Sequence, residues 1–148
     1  MEMSFWLLVA VLAVGLAYTL QFSSATLAFG RELSGSTTTT GFQDAITPPW
    51  QSCLALTVYI GIAVVVISMW WLLGWISALA GLGAVFIGSF VAKLVLPKSS
   101  GPHYRRLILQ SMVARYANYV RDGDALRADA MKQLLIRAGV DPDAMRSA

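Results

Sequence analysis

The sequence predicts an all-α integral membrane protein: three transmembrane helices followed by a cytoplasmic amphipathic helical hairpin. Three observations carry this reading. The chain has 148 residues, 57% of them hydrophobic and 13% charged, which is about half the charge of an ordinary soluble domain. The apolar residues are gathered into long runs, and no Asp or Glu occurs between Asp44 and Asp122. The basic residues are gathered at one end: residues 98–148 hold nine Lys or Arg against five Asp, and residues 1–97 hold two against three acids. A soluble domain of this size hides only about 70% of the surface its unfolded chain exposes, so lipid is the expected solvent for the remainder. A conventional soluble enzyme, a disulfide-stapled secreted module and a disordered tail protein are excluded. Two regions follow, a transmembrane region over 1–97 and a helical tail over 98–148.

The first span covers about residues 5–29. Its strongest part, Phe5–Leu20, falls a little short of the roughly 20 residues a hydrocarbon core requires, and the uncharged stretch up to Phe29 supplies the rest. The start, Met1-Glu2-Met3, lacks the basic residues of a cleavable signal peptide, so the span is expected to be retained. A polar loop is expected over 30–47, with four threonines at 37–40. Thr47-Pro48-Pro49 then has the pattern of a helix start, a hydroxyl followed by proline where a missing N–H costs nothing.

The next apolar run, Leu54–Leu96, has Lys93 as its sole charge. As one helix it would measure about 64 Å, twice the hydrocarbon thickness, so it must fold back. Tryptophans favour the membrane–water interface, and Trp70, Trp71 and Trp75 bracket a turn at 72–75. The second and third spans are therefore about 49–71 and 76–96, the latter stopped by Pro97. Lys and Arg near spans stay cytoplasmic. The N-terminus is accordingly expected outside and the C-terminus in the cytoplasm, in the inner (plasma) membrane if the source is bacterial.

Helices associate in lipid through close backbone approach and polar contacts. Small residues at helical spacing mark candidate packing ridges: Gly15, Thr19 and Ser23 on the first span, Thr57 and Gly61 on the second, and Ser77, Gly81, Ala84, Gly88 and Ala92 on the third. Lys93, Lys98, Arg105 and Arg106 form a basic collar suited to anionic lipid head groups.

After a Ser-Gly-Pro break, His103–Arg121 is amphipathic, with Ile108, Leu109, Met112, Val113, Tyr116, Tyr119 and Val120 within an arc of about 140°. Ile108, Leu109, Met112, Val113, Tyr116 and Val120 are the expected partner-binding face, which could instead pack on the second tail helix or lie on the membrane surface. Arg115 falls on the opposite, polar side. Asp124 is a candidate cap for a second helix over 125–138 that ends at Gly139, on which Leu126, Ala130, Met131, Leu134 and Leu135 share one side. Asp141-Pro142 opens a last short turn.

No span contains Asp, Glu, His or Arg at bilayer depth, where such residues would mark an ion or substrate path. Gln21 is the most polar group there, expected to hydrogen-bond a neighbouring helix. Single residues His103 and Cys53 cannot build a haem or metal site. No phosphate-binding loop, nucleophile elbow or carboxylate pair is present. The expectation is a protein that is not an enzyme, with no cofactor and no metal, partnered by other membrane subunits, copies of itself or anionic lipids, and not by nucleic acid. A non-catalytic accessory or scaffold subunit of a larger membrane complex fits best. A self-associating pore or holin-like protein, and a membrane-surface adaptor or regulator, are the alternatives.

Overall fold

A computed structural model describes residues 2–34 and 46–141, with side chains from Trp6 onward. The threonine run 37–40 and the turn after Asp141 lie outside the described residues. The element order is α1 (Glu2–Ser34), α2 (Pro49–Leu73), α3 (Trp75–Val95), α4 (Pro102–Arg121) and α5 (Ala125–Arg137). The described residues are all-helical apart from turns, and α1, α2 and α3 are each long and apolar enough to cross a membrane. Contacts divide the chain into two compact units, one of Met1–Ser23 with Pro49–Ser99 and one of Ser24–Pro48 with Ser100–Ala148. The unbroken helix α1 contributes to both.

In the first unit the three long helices run up, down and up. Leu12 meets Gly61 and Gly15 meets Val58, so α1 and α2 are antiparallel. Ala13 meets Gly88 and Gln21 meets Lys93, so α1 and α3 are parallel. Val9, Leu16, Val58 and Val85 form the centre, with Ile62 and Ala84 packed against it. Around this thin core most large apolar side chains point outward, including Val11, Ile60, Val64, Phe86, Ile87 and Phe90.

Element boundaries depart from the sequence pattern in three places, each for a local reason. Helix α1 continues through residues 30–34, which were expected to open the polar loop. Glu32 and Leu33 are good helix formers, and burial of Phe29 and Leu33 supports the extra turn. The turn expected over 72–75 shrinks to the single residue Gly74, at φ +86° and ψ 172°. That is a region essentially reserved for glycine, and it lets the chain reverse between two helices without a loop. Helix α3 ends at Val95 because Leu96, lying before Pro97, is held extended at φ −68° and ψ 151°.

In the second unit α4 and α5 pack as a hairpin. Pro102 opens α4 at its first turn, where its fixed φ is already helical. Asp124 caps α5 by accepting the Arg127 N–H at 3.1 Å. Both helices end alike. Gly123 (φ +77°) and Gly139 (φ +80°) take the left-handed conformation. The next N–H in each case reaches back, Asp124 to Tyr119 at 3.0 Å and Val140 to Leu135 at 2.9 Å, so the last carbonyls are satisfied.

The buried stripe of α4 is Tyr104, Ile108, Met112 and Tyr116. This corrects the expectation that Ile108, Met112 and Tyr116 offer a face to a partner. They are closed inside the unit, and Leu109, Val113 and Val120 are half-buried beside them. The tail has too little apolar surface to leave its best stripe open and still order itself. On α5 the buried residues are Ala128, Met131 and Leu135. Leu126 and Ala130, expected on that same side, face outward.

Candidate functional site

The first place where side chains converge is the seam of the three-helix unit. A Cβ added to Gly15 would lie 2.9 Å from Val58 Cγ2, and one on Gly61 would lie 2.7 Å from Leu12 Cδ2. On Gly88 it would meet the Ala13 Cβ at 3.0 Å, and on Gly81 it would run into Met69 Sδ. These glycines let backbones approach closer than any larger residue permits, which is how helices gain dispersion contacts in lipid. Ala84 and Ala92 are half-buried on the same helix as Gly88.

The hydroxyls on these ridges behave differently. Thr19 donates to the Leu16 carbonyl at 2.9 Å, Thr57 to that of Cys53 at 2.9 Å and Ser77 to that of Leu73 at 3.2 Å. The first two bonds stay within one helix, and the third only spans the Gly74 turn, from the first turn of α3 back to the last residue of α2. Ser23 does bridge: its Oγ accepts from Gln51 Nε2 at 3.1 Å.

That bond belongs to a polar layer at one end of the unit. Gln21 Nε2 donates to the Lys93 carbonyl at 3.3 Å, occupying a last-turn carbonyl of α3 that lacks an intrahelical partner. The Phe22 and Trp50 rings meet edge to face at 5.1 Å beside it. Gln51 is 6% exposed, and its Oε1 has no hydrogen-bond partner among the described residues. Sequence reasoning found Gln21 and missed Gln51. The signal was present: Gln51 is an amide in the first turn of a span otherwise free of strongly polar groups.

The opposite end of the same unit is aromatic. Trp70, Trp71 and Trp75 surround the Gly74 turn, each well exposed, and Trp6 is exposed near the start of α1.

In the second unit two arginines of α4 reach the chain on either side of residues 35–45. Arg105 lies 3.4 Å from Glu32 and 5.5 Å from the Phe29 ring centre. Arg115 donates to the Thr47 carbonyl. Arg105, expected at lipid head groups, thus spends its guanidinium on protein groups. The Glu32 pair is about half exposed on both sides, so it contributes at most about 1 kcal/mol. Arg115, expected on the solvent side, was misplaced because helix periodicity cannot see a carbonyl on another segment. Tyr104 was missed one turn before the predicted arc. Lys93, Lys98 and Arg106 are exposed, as is Cys53. Among the described residues no group of three His, Cys, Asp or Glu could hold a metal ion. His103 has the Tyr104 ring beside it at 5.2 Å.

No family model, no curated protein and no solved structure matches the chain.

Proposed function

We propose that the chain is a non-catalytic accessory or scaffold subunit of a larger membrane assembly, its three long helices in the bilayer and its tail hairpin in the cytoplasm. The observation that carries this reading is the outward apolar surface of α2. Only Gln51, Val58 and Val65 of its 25 residues are buried, and outside the half-buried seam around Gly61, Ile62 and Met69 its exposed apolar side chains must meet lipid or another protein. A helix apolar on all sides is at home in either setting. The interior it covers is lined by aliphatic side chains around Val9, Leu16, Val58 and Val85 with one amide layer at its end, which supports a packing role.

The basic excess beyond residue 97 supports the orientation by the positive-inside rule. Lys93, Lys98 and Arg106, exposed and free of acidic neighbours in sequence, are suited to anionic head groups on that side. The partner-facing part of the tail is then its outward surface, where Leu126 and Ile136 are exposed.

The test is purification of the tagged full chain from its native membrane in mild detergent, with mass analysis of the intact particle. Larger co-purifying subunits at fixed stoichiometry are expected. A pure homo-oligomer that carries ion flux in liposomes would replace this reading with a self-associating pore. A monomer that binds anionic vesicles through its tail would replace it with a membrane-surface adaptor.

A further inference from the structure

We propose that the tip of the α2–α3 hairpin, Trp70–Ile76, is an anchor set in the head-group–acyl boundary of the leaflet opposite the basic end, and not a loop displayed to water. The inference rests on the reading that α2 and α3 cross the bilayer, and it adds where their turn comes to rest.

A turn that reaches water is ordinarily polar, and this one offers no polar group on its side chains beyond the indole N–H of its tryptophans. Between Ser68 and Ser77 the sequence is Met-Trp-Trp-Leu-Leu-Gly-Trp-Ile. Trp70, Trp71, Leu72 and Leu73 are 64% to 86% exposed, and Trp75 and Ile76 are 64% and 66% exposed. Consecutive helical residues turn by about 100°, so the four residues of that last turn sweep nearly the whole circumference of α2. No single protein face could cover all of them, whereas a fluid apolar medium can. Trp6 extends the arrangement to the third helix. Carrying the Leu12–Gly61 and Gly15–Val58 pairing toward the start of α1 puts Trp6 about level with Ile67, one turn from Trp70. Indole rings on all three helices at one level form a belt, and indoles prefer the interface because their N–H needs a wet partner.

The backbone excludes the other extreme, a tip buried in hydrocarbon. Gly74 donates to the Trp70 carbonyl at 3.1 Å and accepts from Ala78 at 3.3 Å, and Ser77 Oγ covers the Leu73 carbonyl at 3.2 Å. The first-turn N–H groups of α3, on Trp75, Ile76 and Ser77, have no capping side chain. Unsatisfied backbone groups are not tolerated at lipid depth. Apolar side chains on every side together with uncapped amides match the interface alone.

The full chain in liposomes tests this by fluorescence. A variant with Trp6→Phe and Trp50→Phe reports on the tip; a second, with Trp6, Trp70, Trp71 and Trp75 changed to Phe, reports on Trp50 at the other end. Lipids brominated near the glycerol end should quench tip emission at least about twofold, more than lipids brominated near the chain terminus, and aqueous iodide should have little effect. Strong iodide quenching of the tip with Trp50 still quenched by bromolipid would overturn the anchor and leave the spans standing. Quenching greatest from chain-terminal bromines would overturn it in favour of a tip at mid-bilayer. A tip shielded from both quenchers would overturn it in favour of a covering protein or second copy. If iodide reached both reporters and bromine neither, the spanning reading itself would fail.

Discussion

At the scale of single residues, glycines in one sequence class divide into two physical kinds. Gly15 faces the stiff, branched Val58, whereas Gly83 has nothing within 4 Å of where a Cβ would sit. Gly15→Ala is therefore expected to destabilise the bundle, because the β-branched neighbour has few rotamers to retreat into. Gly83→Ala should be neutral or stabilise by up to about 1 kcal/mol through helix propensity. Reversible unfolding of the full chain in mixed detergent and SDS micelles reads both, and equal effects would contradict the seam. The amide layer gives a sharper contrast. Ser23→Ala removes the one described partner of Gln51 and should cost about 0.6–1.7 kcal/mol, the range for hydrogen bonds between membrane helices. Gln51→Met removes both the bond and the orphaned Oε1, so it should cost less than Ser23→Ala, because a buried acceptor without a donor is itself a penalty of about 1–3 kcal/mol. The double variant should then resemble Gln51→Met and fall short of the sum.

At the scale of elements, the turns carry the specific information. Gly74 sits where only glycine is comfortable. Its replacement by alanine is expected to cost about 1–3 kcal/mol of backbone strain, read in the same micelle unfolding, even though open space surrounds the site. In the tail, Asp124→Ala removes the bond to the Arg127 N–H and should lower the stability of α5 by about 1 kcal/mol. Hydrogen exchange of the full chain should then show the first two turns of α5 exchanging about fivefold faster, with α1–α3 unchanged. These elements were largely legible beforehand. Length against bilayer thickness fixed three long helices, proline and tryptophan located their ends, and Asp124 and Gly139 announced the second tail helix. What could not be read was which stripe each tail helix buries. Amphipathic periodicity defines an arc about 140° wide, and the choice within it depends on the segments that meet it. Residues 24–34 and Ile46-Thr47-Pro48 share that unit, and nothing local in residues 102–121 reveals them. Arg115 was assigned to solvent, and the Ile108, Met112 and Tyr116 stripe to a partner, for this reason.

At the scale of the whole molecule, the candidate site was legible only in outline, since the small-residue ridges could be named but not paired. The Gln51–Ser23 bond joins residues 28 apart, and such pairings emerge only when helix order and register are both known. The proposed membrane reading carries a testable sidedness. Three crossings would place residues 4 and 99 on opposite sides of the bilayer, and by the positive-inside rule the nine basic residues after 97 favour the cytoplasmic side for the segment that carries them. With Cys53→Ser as background, single cysteines at Ser4 and Ser99 should respond oppositely to a membrane-impermeant maleimide applied to sealed cells. The Ser4 site should label from outside, and the Ser99 site only after permeabilisation. The reverse pattern would invert the orientation and move the basic collar away from the anionic leaflet. Labelling of both sites from outside would mean an even number of crossings, and one of the three long helices would then have to lie against the membrane or a partner instead of through it.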